Sequence, residues 1–444
     1  MNVFALMGLL NREQRNAFVA SFLGWTLDAF DFFVLTFVTL RIAKDFQVGL
    51  PAIAFTITLT LMLRPLGALI FGILADRFGR RTPLMIDIIC YSVIELLTAF
   101  SPNYFVFFIL RGLFGIAMGG EWGLGSSLAM ESLPTQSRGL FSGILQQGYA
   151  CGYLLAAIAY FVIFTFFPFL GWRAMFVIGV LPALLVVYIR MGVSESPVWE
   201  HQQTLHRARG TNVWQGMRNA IKRHWLLFVY LIILMTAFNG LSHGTQDNLP
   251  TFLQAQLKLG VSATSTITII ANIGAIIGGI LFGYYSQNWG RRRAIIIACI
   301  LGIILIPFWI GYIRLPGLSL LASIAVGAFL LQFMVQGAWG VIPVHLNELS
   351  PTDVRGTFPG FAYQLGNLFA AFIVFLEAVL AQSLGTSVTP NYAAALAIFS
   401  LGAFIAVIVF TALGRESKGI EFIQADEEKP AIGGEMMPTR DVTS

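Results

Sequence analysis

Twelve apolar stretches of roughly 20 residues each run through this chain, near 17–40, 51–74, 83–101, 103–127, 140–162, 172–190, 225–247, 262–285, 294–313, 317–343, 357–381 and 391–414. A hydrocarbon core about 30 Å thick needs a helix of that length, and a spanning segment must satisfy its own backbone hydrogen bonds. The stretches lack the period-two alternation of a barrel strand. With 57% hydrophobic and only 11% charged residues, the 444-residue chain reads as an all-α polytopic membrane protein. The first stretch follows the polar Asn11–Arg15 and carries two aspartates, so it reads as a span and not a signal peptide.

Basic residues set the expected orientation. Arg12, Arg15, Arg77, Arg80, Arg81, Arg138, Arg291, Arg292, Arg293, Arg355, Arg415 and Lys418 fall on one side with both termini, and that side is expected to be cytoplasmic. This accounts for the net charge of +5 without a nucleic-acid partner. Cys90, Cys151 and Cys299 lie far apart inside spans, as small core residues without metal-ligand spacing. No HExxH, P-loop, nucleophile elbow or dinucleotide-binding glycine pattern is present, so no enzyme is expected, and neither is a cofactor.

The chain repeats internally. Gly72, Asp76, Arg77, Gly79, Arg80 and Arg81 recur as Gly283, Gln287, Asn288, Gly290, Arg291 and Arg292. Trp122, Glu131, Pro134, Arg138 and Gln147 recur as Trp339, Glu348, Pro351, Arg355 and Gln364. The expected organisation is a six-helix bundle over 1–193, a polar cytoplasmic linker over 194–224, a second six-helix bundle over 225–414, and a disordered acidic tail over 415–444.

The loop Gly72–Arg81, its degenerate copy and the paired Glu-x-x-Pro-x-x-x-Arg-Gly loops resemble the major facilitator superfamily. That resemblance implies twelve transmembrane helices in two bundles, with Asp76, Arg80, Arg81, Glu131, Arg138, Arg291, Arg292, Glu348 and Arg355 gating a cycle of alternating access. The charges alone would also be explained as topology signals. The glycines are not: they permit a tight turn and close helix approach.

In the seventh span, Asn239, His243, Gln246 and Asp247 share one helical stripe, where polar groups converge on a ligand. Asn239, Ser242, His243, Thr245, Gln246, Asp247 and Thr251 fill every position of a signature like that of JEN-type lactate and pyruvate symporters, within the sialate–proton symporter family. The resemblance implies substrate binding by Asn239, His243 and Asp247, joined by Gln364 and Asn367 of the eleventh span. A sialic acid or sugar symporter of the same superfamily is the alternative.

Ionisable groups inside spans default to function because burial is costly. Arg64, twelve residues before Asp76 and so about 18 Å along the helix, offers a bidentate fork for a carboxylate. A structural ion pair is its plainer reading. Asp28 and Asp31, one turn apart, are candidates for proton binding, and Glu121 is another. Arg111 resembles the arginine that pairs with a helix-one aspartate in sugar porters; the alternatives are a switchable pair and a permanent salt bridge. His243 carries proton-relay and packing readings alike. The expected partners are a proton, a small monocarboxylate and the lipid bilayer, for a monomer in a bacterial inner membrane or plasma membrane.

Overall fold

Helix boundaries follow local signals. The structure, a computed structural model, describes residues 8, 10–48, 50–208, 219, 222–249, 252–259, 261–351, 354–386 and 389–422. Thr251, most of the linker beyond Ala208 and the tail from 423 onward lie outside the described residues. Helix α1 (Arg12–Asp45) starts in a capping box: the Asn11 side chain accepts from the Gln14 backbone N–H, and the Gln14 side chain accepts from that of Asn11. Helices α2 (Leu50–Phe78) and α3 (Arg81–Ala99) follow, joined at Gly79, whose φ of +93° suits glycine. The fourth span comprises α4 (Tyr104–Ala117) and α5 (Glu121–Ser132), the fifth α6 (Arg138–Gln146) and α7 (Gly148–Phe166), and the sixth α8 (Arg173–Ile178) and α9 (Pro182–Gly192). Helix α10 (Pro197–Ala208) opens the connection to the second half.

The second half repeats the plan with α11 (Trp225–Gln246), α12 (Val261–Trp289), α13 (Arg291–Trp309), α14 (Leu320–Gly340), α15 (Ile342–Leu349), α16 (Phe358–Ala370), α17 (Ile373–Ser383) and α18 (Tyr392–Leu413). Gly290 makes the same turn as Gly79, at φ +95°. Eleven helical stretches among the described residues are long and apolar enough to cross a membrane. The expected eleventh span, 357–381, is not one of them, and its helix is interrupted between Ala370 and Ile373. No strand occurs among the described residues.

In the first half α1 packs on α5 and α7, and α2 on α4; in the second, α11 packs on α16 and α18, and α14 on α12 and α13. The seam between halves is made by α12 against α6 and by α16 against α2. Small residues let it close: a Cβ on Gly123 would sit 2.8 Å from the Gly360 Cα. Large apolar side chains such as Phe105, Leu184, Ile269 and Ile398 remain on the outside, as a lipid-facing surface requires.

Candidate functional site

A cavity of about 450 Å³ opens between the two halves at mid-height. The start of α1, the end of α18 and the Gly79 and Gly290 turns lie at one end of the molecule, called here the motif end. The cavity lining runs from Arg64 and Trp339 toward Ile57, Tyr153 and Leu249, away from that end.

Helix α11 supplies one wall. Its seventh-span stripe faces inward as a unit: Asn239, His243, Gln246 and Asp247 all line the cavity. The imidazole of His243 is held at both nitrogens, Nδ1 lying 2.8 Å from Asp247 Oδ2 and Nε2 2.9 Å from Asn367 Oδ1 of α16. An i,i+4 carboxylate and a cross-helix amide thus fix the ring's orientation. Asn239 donates to the Met235 carbonyl at 2.9 Å and to the Tyr363 carbonyl at 3.4 Å, which ties α11 to α16. Gln246 donates to Gln332 Oε1 of α14 at 3.0 Å.

Arg64 faces this wall from α2. The following Pro65 lies inside the helix and has no N–H, so the carbonyl of Leu61 lacks its helical donor, and Leu61 also lines the cavity. The Arg64 Nη2 lies 3.5 Å from Asp28 Oδ2 and 3.1 Å from Met118 Sδ, and the guanidinium is 5.2 Å from the Phe32 ring centre. Its Nε has no hydrogen-bond partner. A buried guanidinium with one long ion pair and an unused donor, at the edge of the cavity, has a free N–H that a carboxylate could take.

Two expected site residues sit differently. Gln364 is buried outside the cavity lining, with its Oε1 unpartnered, although Asn367 one turn further along α16 lines it. Arg111 pairs with Glu95 of α3 at 2.6 Å and not with an aspartate of α1. It is fully buried, also stacks 3.9 Å from the Phe114 ring centre, and meets Glu95 because α3 packs directly on α4. Asp31 remains within electrostatic reach of both members of that pair, with neither carboxylate oxygen hydrogen-bonded.

The motif end is closed by contacts between halves. Asp76 of α2 accepts from the backbone N–H groups of Gly356 at 2.7 Å and Thr357 at 3.1 Å, and from the Thr357 hydroxyl at 2.7 Å. Gly139 donates to Gln287 at 3.3 Å, and the Ser142 hydroxyl donates to the Gly340 carbonyl at 2.7 Å while accepting from the Val344 N–H at 3.0 Å. Within each half the arrangement is duplicated. Arg80 binds Glu131 through two bonds of 3.0 Å, and Arg291 binds Glu348 likewise. Glu195 accepts from the backbone N–H groups of Arg80 and Arg81, and Glu416 from those of Arg291 and Arg292. Burial pushes Glu195 above the usual carboxylate range. Glu416 is exposed where Glu195 is half-buried: burial acts upward on it too, but the N–H groups of Arg291, Lys418 and Arg292 outweigh it and hold it low.

The Arg138 side chain donates to the carbonyls of Met130 and Leu133, and that of Arg355 to those of Asn347 and Ser350. Between these two arginines lies Phe422, its ring centre 3.7 Å from the Arg138 guanidinium and 3.9 Å from that of Arg355. Arg138 also donates to the Ile420 carbonyl at 2.9 Å. The tail's first residues, 415–422, are therefore placed on the seam.

Sequence reasoning missed Asp87, Glu95 and Glu377, all fully buried acids within expected spans. Counting every acid inside an apolar stretch, as for Asp28, would have found them. Glu377 of α17 accepts from the Asn248 side chain at 2.9 Å, behind the His243–Asp247 pair. Among the described residues no group of three or more His, Cys, Asp and Glu side chains is placed to hold a metal ion.

The family model described as Major Facilitator Superfamily matches residues 18–374. A carboxylic acid transporter protein homolog of Saccharomyces cerevisiae is 31% identical over 427 residues, covering 90% of this chain and 68% of that protein. The sialic acid transporter NanX of Escherichia coli is 29% identical over 360 residues, covering 80% and 85% respectively. The solved structure of the proton:xylose symporter XylE superposes with a TM-score of 0.74 at 19% identity, over 92% of this chain and 97% of that one. Two helical bundles around a central cavity, a matching family model across most of the length and transporters among its relatives lead to one conclusion: this chain is a multi-pass membrane protein that belongs to the major facilitator superfamily, a transporter and not an enzyme.

Proposed function

We propose that this protein is a proton-coupled symporter of short monocarboxylates such as lactate and pyruvate, working by alternating access. The observation that carries the reading is the cavity itself. It sets the guanidinium of Arg64 opposite a histidine oriented by Asp247 and Asn367, with Asn239 and Gln246 on the same wall. A fork of donors on one side and a titratable donor on the other suit a carboxylate that arrives with a proton. The yeast relative named as a carboxylic acid transporter homolog supports the substrate class. By the positive-inside rule the motif end is cytoplasmic, in a cell membrane, and the closed seam corresponds to an outward-facing state. Inward release requires the Asp76–Thr357, Gly139–Gln287 and Ser142–Gly340 contacts to break, with Arg80, Glu131, Arg291 and Glu348 bracing each half as it rocks.

The sialic acid reading is favoured by one observation besides the relative NanX. A cavity of about 450 Å³ lies inside the range of roughly 300–1,000 Å³ used for drug-sized ligands, with room for more than a three-carbon acid. Proteoliposomes decide between them: an inward proton gradient should drive accumulation of labelled lactate, with competition by pyruvate exceeding that by sialic acid. A lone anion entering against a negative-inside potential would pay about 2.3 kcal/mol per 100 mV, so a protonophore should abolish the accumulation. Uptake that survives the protonophore and fails on sodium removal overturns proton symport. Stronger competition by sialic acid overturns the monocarboxylate assignment.

A further inference from the structure

The interior of the first half holds more acid than its bases can balance. Asp28 and Asp31 of α1, Asp87 and Glu95 of α3 and Glu121 of α5 are all at most 1% exposed. The guanidiniums among them are Arg64 and Arg111, and these engage Asp28 and Glu95. Asp31, Asp87 and Glu121 are left over, and none of their six carboxylate oxygens has a hydrogen-bond partner. The hydroxyl of Tyr91 beside them is likewise unpartnered. Isolated carboxylate anions at this depth would be far too costly, so the surplus acids must carry protons.

The backbone is shaped to seat these groups. A Cβ on Gly24 of α1 would strike the Glu121 carboxylate. One on Gly120 would lie 2.5 Å from Phe71 Cβ and 3.0 Å from Asp87 Oδ1, and one on Gly179 2.9 Å from Asp31 Oδ1 and 2.5 Å from Glu95 Cγ. Three missing side chains, on different segments, leave room for four carboxyl side chains.

We infer that Asp87 and Glu121 form a proton-holding site of their own, set apart from the substrate cavity and linked to it through Asp28 and Arg64. Neither acid lines the cavity, whereas Arg64 does. Glu121, Asp28, Cys90 and Arg64 lie within electrostatic reach of Asp87, and Asp28 and Arg64 within reach of Glu121. The groups facing the pair are therefore Asp28 from α1, Arg64 from α2, and Cys90 and Tyr91 from α3. A substrate carboxylate that takes the Arg64 guanidinium leaves Asp28 without its counter-charge. Asp28 then takes one proton from a hydronium ion on the open side: one O–H bond of hydronium breaks, one forms on the carboxylate, and water is left. No bond of the substrate breaks and no electron moves. Anion and proton enter together, and leave together when Arg64 returns to Asp28.

This deepens the proton-coupling part of the proposed function, and infrared spectroscopy of the full chain in lipid nanodiscs tests it. The carbonyl stretch of protonated carboxylic acids should be present in wild-type protein at neutral pH. Asp87→Asn and Glu121→Gln should each remove about one carboxyl's share of it, and lactate should raise the wild-type band by about one carboxyl. Wild-type protein without the band overturns the inference, whether or not either variant folds. So does a band of equal size in wild type and in either monodisperse, membrane-inserted variant. If lactate leaves the wild-type band unchanged while the variants lose their share, the proton site stands and the monocarboxylate assignment falls.

Discussion

Replacing Asp76 by Asn tests whether the motif end opens as a unit. In the closed state this carboxylate takes three bonds from across the seam and lies 3.2 Å from Arg80. An amide of the same shape keeps one acceptor, which Gly356 N–H can use. Its NH2 then faces the Thr357 N–H, donor against donor, while the Thr357 hydroxyl can turn to accept. One buried N–H is left unpaired, and the surviving bonds lose their charge assistance. Arg80 keeps its two bonds to Glu131. The closed state should lose about 2–4 kcal/mol, which raises the open fraction roughly 30- to 1,000-fold. Hydrogen exchange in nanodiscs reads this directly, because amide exchange across the seam reports its opening. Peptides containing Gly356 and Thr357 must speed up on local grounds alone. The decisive reporters are the Gly139 and Val344 amides, which cross the same seam without touching Asp76. If they exchange at the wild-type rate while Gly356 and Thr357 accelerate, the halves do not open as rigid bodies and the gating assignment of Asp76 fails.

Arg64→Lys keeps the charge but loses the fork, so lactate affinity should fall by about 1.5–3 kcal/mol, or roughly 10- to 150-fold; equilibrium binding at wild-type affinity would remove Arg64 from the site. Asn367→Ala takes away the partner of His243 Nε2 and should weaken binding at least tenfold, about 1.4 kcal/mol. Gln364→Ala, at a buried position outside the cavity lining, should leave affinity within about twofold while lowering thermal stability, and calorimetry with melting curves separates the two. Phe422→Ala removes two guanidinium–ring contacts that bridge the halves, about 1–3 kcal/mol together; exchange at Gly139 and Val344 should accelerate about 5- to 150-fold, and unchanged exchange would mean the tail does not brace the seam.

Reading the sequence reached furthest where a property is local. Span length, absence of strand alternation and the Asn11–Gln14 capping box depend on neighbouring residues, so the helical membrane class was legible without tertiary information. The α11 stripe was legible for the same reason: helical periodicity places Asn239, His243, Gln246 and Asp247 on one face whatever that face meets. The repeated motifs exposed the duplication, because the same turn at Gly79 and Gly290 demands the same residues twice.

What the periodicity of one helix cannot show is which neighbour its side chains meet. Arg111 is paired with Glu95 because α3 packs against α4, a choice made by the shapes of whole helices. Gln364 and Asn367 are neighbours on one side of α16, yet only Asn367 reaches the cavity and His243, and the packing around the helix decides which. The break between Ala370 and Ile373 interrupts an apolar run that hydropathy reads as continuous. That Asp31, Asp87 and Glu121 stay unpaired emerges only when α1, α3 and α5 are brought together with α2 and α4, since a single helix shows its acids but not whether a neighbour supplies a base. Burial and charge balance are sums over everything within a few ångströms, and only the tertiary structure determines what those neighbours are.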